Sequence, residues 1–347
     1  MFARWSGAFQ IAAVYVGTIV GAGFATGREI VEFFTRFGFS GFIGILIAGY
    51  LFIVIGAKIM VLSAKIGADS YEILNNYLFG ERIARYINII FLVMLLGVTS
   101  VMISGAGAVF EEQLGLPRNV GTLLTIFLAA AVLMAGIKGL FAVNSFVVPI
   151  MILFSIILCV LTVNGAGFHN ALLGSNVHEA GWRAMVSPFS YAAFNLALAQ
   201  VVLVPIANEV KDKRMIYRGA VLGGVFLTVI LLTSHISLST LTDVDQYSIP
   251  TAELMKNAAS SLYWIFIFVI YGEIFTSVIG NLFGLGRQIQ TYVKLPDPVI
   301  FIGIFLVTYF ISIVEYGKLL SYLYPLFGYI SLIFLALVWR KNWNHEG

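Results

Sequence analysis

The chain has 347 residues, 60% of them hydrophobic and only 11% charged, with a net charge of +3 and a mean hydropathy of +0.97. Soluble domains carry about a quarter charged residues, so an ordinary soluble protein is excluded and an all-α polytopic membrane protein is expected. A single cysteine, Cys159, excludes an intramolecular disulfide, and the absence of a GxxxxGK(S/T) phosphate loop excludes direct ATP-driven pumping by this chain.

Spans need about 20 mostly apolar residues, and ten such segments follow one another. The first, Ser6 to Phe37, has no small-residue cleavage site behind it and is expected to be retained rather than removed as a signal peptide. It contains GTIVGAGFATGREIVE, with glycines at Gly17, Gly21, Gly23 and Gly27. Each glycine costs about 1 kcal/mol of helix stability relative to alanine, so Gly21-Ala22-Gly23 predicts a break in mid-membrane. Such a break must face protein or water, because lipid offers its backbone no partners. Discontinuous helices of this kind present carbonyls to cations and N–H groups to anionic substrate groups. Two other readings compete: the four-residue glycine spacing also suits close helix packing, and Gly21-x-Gly23-x-x-x-Gly27 is near a dinucleotide fingerprint, which is discarded for want of a βαβ unit.

The second span, Ser40 to Ala64, carries Lys58 where its stem can snorkel. An amphipathic connection, Lys65 to Arg85, has Tyr71, Leu74, Leu78 and Phe79 as its apolar side. Tyr86 to Phe110 is the third span, closed by Glu111 and Glu112; Asn119 to Ile137 is the fourth, with Lys138-Gly139 turning into the fifth, Leu140 to Val163. A Gly- and Asn-rich loop, Asn164 to Gly181, precedes the sixth, Trp182 to Asn208. There Pro188 removes a backbone donor, and Ser190 and Asn195 can re-satisfy freed groups, so a second break is expected near Ser190 to Phe194. The basic loop Glu209 to Arg218 leads to the seventh span, Gly219 to Leu241. A polar stretch, Thr242 to Ser260, starts a short helix at Pro250. The eighth span is Ser261 to Gly286, the ninth Val299 to Val314 and the tenth Leu319 to Trp339.

Basic residues fall unevenly about these spans. Lys58, Lys65, Arg82, Arg85, Lys138, Lys211 to Arg218, Arg287, Lys294, Arg340 and Lys341 share a side with Arg4, against Arg36, Arg118, Arg183, Lys256 and Lys318 on the other. The asymmetry puts both termini in the cytoplasm. With the breaks in spans one and six, residues 1–165 and 166–347 form two blocks of five that enter the membrane from opposite sides, an inverted repeat with its site at the midplane.

The segment Gly17-Thr18-Ile19-Val20-Gly21-Ala22-Gly23-Phe24 resembles the opening of the amino acid-polyamine-organocation superfamily, with its leucine-transporter-type fold. The longer GTIVGAGFATGREIVEFF is most similar to the YkvI-like bacterial membrane proteins. Relatives include amino acid permeases and the membrane subunits of spore germinant receptors. The resemblance implies an ion site in which Gly17 and Val20 supply carbonyls to hydroxyls of the eighth span, here Thr276 and Ser277. It departs at Glu273, where sodium-coupled relatives have a small residue, and at the fifth span, which lacks the lysine of some proton-coupled relatives.

Glu273 lies near the centre of its span, where an ionisable side chain marks a functional pathway by default. Residues three and four apart put Glu273, Thr276 and Ser277 on one helix face, a set of hard oxygen ligands. Phe24, Phe189, Tyr191 and Phe194 are candidate walls of a solute pocket, joined by Gly21, Ala22, Gly23, Ser190 and Asn195. A zwitterion suits this pocket, its carboxylate at the N–H groups of Gly23 to Thr26 and its ammonium at freed carbonyls. Arg28, Glu29 and Glu32 read either as a hydrated vestibule set with an Arg28–Glu32 pair or as a gate in which Arg28 meets Glu315. His235 is a packing residue, and His169, His178, Asp243 and Asp245 lack metal-ligand spacing. The expected function is secondary transport of an amino acid or amine across the cell membrane, coupled to sodium or protons. No enzymatic activity, other cofactor or nucleic acid is expected, and oligomeric state is left open. A ligand-sensing subunit using the same pocket is the alternative; an ion channel lacks its ring of polar residues.

Overall fold

A computed structural model describes residues 2–133, 137–163 and 181–340. His169 and His178, and the side chains of Arg4, Lys138 and Asp245, lie outside what is described. No strand occurs among the described residues. The helices are α1 (Phe2–Ile19), α2 (Ala22–Ala25), α3 (Arg28–Phe33), α4 (Phe39–Ile66), α5 (Tyr71–Phe79), α6 (Glu81–Leu114), α7 (Arg118–Leu133) and α8 (Ile137–Val163), followed by α9 (Trp182–Val210), α10 (Lys213–Leu238), α11 (Pro250–Ala258), α12 (Tyr263–Tyr292), α13 (Asp297–Ser312) and α14 (Tyr316–Arg340).

Seven of these, α4, α6, α8, α9, α10, α12 and α14, are long and apolar enough to cross a bilayer, so the chain is a multi-pass membrane protein. The other expected spans are occupied by shorter apolar helices, Gly7–Ile19 within α1, α7 and α13. A 16-residue helix such as α7 or α13 is about 24 Å long against a hydrocarbon core of about 30 Å. The amphipathic connection forms α5, burying Tyr71 and Leu74. Lys58 is buried, and its Nζ donates to the Trp339 carbonyl at 3.0 Å, at the carbonyl-rich end of the last helix. Lys138 and Gly139 lie in the first turn of α8 rather than in a turn before it.

The first span is broken as its glycines predict. Helix α1 stops at Ile19, and Gly21 is extended at φ −113°, ψ −166°. A second interruption follows at Gly27, whose left-handed φ of +80° suits a residue without a Cβ. The sixth span is not broken, which overturns the expectation for Ser190 to Phe194: α9 is continuous from Trp182 to Val210. Pro188 sits only two turns from the helix start, and no glycine follows it in this helix. Ser190 Oγ donates to the Ser187 carbonyl at 3.0 Å, and Asn195 Nδ2 to the Tyr191 carbonyl at 3.1 Å. Both side chains therefore bond back into the helix instead of bridging a gap. Apolar on nearly every side, α9 is the central helix, enclosed chiefly by α4 and α14.

Candidate functional site

The break in the first span meets the eighth. Ser277 Oγ, on α12, donates to the Val20 carbonyl and lies 3.3 Å from the Gly17 carbonyl. Thr276 Oγ1 turns back to the Glu273 carbonyl of its own helix at 2.9 Å. Gly21 is covered on one side by the Met102 methyl of α6, and Asn281 Nδ2 holds the Met102 sulfur at 3.1 Å. These contacts put two carbonyls, the Ser277 hydroxyl and a thioether around one stretch of unwound backbone.

Glu273 is fully buried, and neither carboxylate oxygen has a hydrogen-bond partner. It faces a cavity of about 30 Å³, walled by Phe24 and Ala25 of α2, Met151, Ser155 and Leu158 of α8, Ser234 of α10, Thr251 of α11 and Phe266, Val269 and Ile270 of α12. That volume exceeds the roughly 10–15 Å³ needed by one water, so a water or a small cation fits beside the carboxylate. The Ser155 hydroxyl is itself bonded by Thr233 at 3.2 Å. Glu273 and Phe24 are the expected site residues brought together here.

Glu29, which does not line that cavity, is also buried, with its carboxylate against Gly23. Asn195 Nδ2 reaches its Oε1 at 3.4 Å, and Tyr191 stands beside it. Tyr191 is fixed by Phe33, Phe34 and Phe52, with ring centroids 5.2, 4.8 and 5.8 Å away. Phe194 instead packs against Tyr324, with ring centroids 4.8 Å apart and planes tilted by 48°, and Ser190 packs against Gly328. Phe189 points out of the protein, 41% exposed, and is removed from the pocket wall.

The expected Arg28–Glu315 gate is absent. Glu315 is 58% exposed and pairs with Lys318 at 2.8 Å, and that ammonium holds its carboxyl below the usual range. Arg28 Nη1 donates to the Tyr247 carbonyl at 3.4 Å, and Glu32 bonds Arg36 at 2.6 Å. What covers the second interruption is α11: Thr251 N–H donates to the Thr26 carbonyl at 3.1 Å and Thr251 Oγ1 to the Ala25 carbonyl at 2.9 Å. Thr26 Oγ1 and the Tyr316 hydroxyl share a further bond of 2.8 Å. Glu315→Gln is accordingly expected to change solute uptake by less than about fivefold, because an exposed pair contributes at most about 1 kcal/mol; a larger loss would restore the gate. His235 is buried and bonded to Thr35 at 3.2 Å, a packing role.

Sequence reading missed Met102, Asn281, Ser155, Ser234, Thr251 and the Glu29–Asn195 contact. Only Glu29 carried a signal, a carboxylate inside an apolar span.

A family model described as spore germination protein matches residues 7–318. The uncharacterized membrane protein YkvI of Bacillus subtilis (strain 168) is 50% identical over 335 residues, covering 96% of each chain. The uncharacterized protein YyaD of the same organism is 21% identical over 333 residues, again covering 96% of each. Among solved structures, a mutant manganese transporter of Eremococcus coleocola superposes with a TM-score of 0.65 at 14% identity, over 96% of this chain and 76% of its own. The same transporter with an aromatic bis-isothiourea substituted compound gives 0.62 at 13% identity, over 97% and 77%. At that identity the likeness is one of fold.

Proposed function

The chain belongs to the spore germination protein family, and on that footing we propose that it is a secondary active transporter of a small organic solute, an amino acid or an amine. Transport proceeds by alternating access and is coupled to sodium or protons. The observation that carries this reading is the junction of the first and eighth spans. Carbonyls freed at Gly17 and Val20 face Ser277, and an uncompensated Glu273 lies on the same helix within reach of a cavity. A broken helix that offers carbonyls in mid-membrane is a cation site in secondary transporters, and a buried carboxylate marks an ion or proton path. The same reading places residues 1–165 and 166–347 as inverted repeats in the manner of the amino acid-polyamine-organocation superfamily, with both termini in the cytoplasm and the chain in the cell membrane.

Uptake into proteoliposomes under imposed sodium and proton gradients, screened over amino acids and amines, tests the proposal. Accumulation driven by either gradient supports it, and no uptake of any solute defeats it. In the same assay Thr276→Ala with Ser277→Ala lowers apparent sodium affinity by about tenfold, the value of one or two lost oxygen ligands; unchanged sodium dependence would move the ion elsewhere. The spore germination description of the family favours one second reading, a sensor that binds its ligand without moving it. Binding without uptake would identify it.

A further inference from the structure

We propose that the solute is a carboxyl-free organic amine, and that Glu29 is the counter-ion for its ammonium group; this rests on the solute-binding reading above. Glu29 is 2% exposed, and no basic side chain among the described residues pairs with it. Its Oε2 lies over Gly23, where an added Cβ would come within 2.7 Å of it. The backbone that should receive a solute carboxylate is therefore already faced by a carboxylate belonging to the protein. Two of the N–H groups expected to serve that purpose are also spent, Ala25 on the Gly21 carbonyl at 2.9 Å and Thr26 on the Ala22 carbonyl at 3.0 Å.

A zwitterion bound at Gly23 would bring its own carboxylate against Glu29 in a water-poor site, where like charges exclude one another. An ammonium is the complementary group. It meets Glu29 on one side, near the Thr26 and Tyr316 hydroxyls, which share a bond of 2.8 Å three residues along the backbone from Gly23. Hydroxyl oxygens accept from N–H donors. Asn195 positions the carboxylate from α9 through its 3.4 Å contact. Glu29 is not among the residues that line the Glu273 cavity.

The test uses the full chain in lipid nanodiscs, with calorimetric titration of matched probes: isoamylamine against leucine, isobutylamine against valine, and isovalerate as the amine-free acid. Each amine should bind at least about tenfold more tightly than its amino acid, and isovalerate should not bind. Glu29→Gln should weaken amine binding by about tenfold or more, Glu29→Asp should keep the preference, and Gly23→Ala, whose methyl displaces Oε2, should weaken it. If Glu29→Gln fails to fold, the Asp and Gly23 variants decide. Amino acids binding as tightly as their amines, amine binding indifferent to Glu29→Gln or Gly23→Ala, or no amine binding would each overturn the assignment. Amines that bind but never accumulate in proteoliposomes would defeat transport and leave the counter-ion standing. Amino acids accumulated equally by the parent and Glu29→Gln would do the reverse.

Discussion

Glu273→Gln is expected to abolish ion-driven solute accumulation while leaving the protein folded and able to bind its solute. Glu273 is fully buried and both its oxygens lack partners. A carboxylate in a dry interior carries a penalty of several kcal/mol even after relaxation. Its charge has to be matched by a proton or a cation whenever the site is closed. The cavity beside it, with Ser155, Ser234 and Thr251 on its walls, has room for that partner and little else. Glutamine has nearly the same volume and no charge, so it removes the reason for the ion to enter without opening a hole. Gradient-driven accumulation should fall by about a hundredfold, equivalent to about 2.8 kcal/mol of lost coupling, with solute affinity changed by less than about threefold. Uptake at several pH values, with sodium replaced by choline, separates the two ions. Unchanged accumulation in this variant would reduce Glu273 to a packing residue.

The roles of the two buried carboxylates were unequally legible in the sequence, for a physical reason. Glu273 sits far from either end of an apolar span, so its burial follows from its position alone. Glu29 follows Arg28 and precedes Glu32, a pattern that reads as a hydrated charged patch; its burial depends on Asn195 and Tyr191 arriving from a helix more than 150 residues away in sequence. The break at Gly21 was readable because helix propensity is local, and glycine acts through backbone freedom that no neighbour supplies. Pro188 misled because it removes one bond near a helix start, where α9 absorbs the loss. The gate misled because Lys318, three residues from Glu315, competes at short range with any distant arginine. Ser155, Ser234 and Thr251 were invisible for a simpler cause: hydroxyls are common in membrane helices, and only tertiary packing decides which of them face a cavity.

Gly27→Val is expected to be the most disruptive single change in the first span, acting at the face opposite the basic loops. Gly27 has φ +80°, where a residue with a Cβ loses about 1–2 kcal/mol and a β-branched one more. The new Cβ would also lie 2.7 Å from Thr251 Cγ2 and 3.2 Å from both δ carbons of Leu238. Thr251 cannot retreat without breaking its bonds to the Ala25 and Thr26 carbonyls, each contributing about 1 kcal/mol. These carbonyls are available only because the helix stops at Gly27, and the Thr251 N–H needs an acceptor because it opens α11. The two interruptions of regular structure thus satisfy one another, and α11 is held over the first span by that exchange. Together the terms amount to a destabilisation of about 3–5 kcal/mol. Thermal unfolding in detergent should show it directly. In a Cys159→Ser background, Ala25→Cys should be labelled by a membrane-impermeant maleimide about tenfold faster once Gly27→Val is added, because displacing Thr251 by more than about 1.4 kcal/mol of contact energy opens the cover. Gly317→Ala, a position with nothing within 4 Å of an added Cβ, should change neither measurement. Melting and labelling of Gly27→Val equal to its parent would mean that α11 does not hold the Gly27 end of the broken helix.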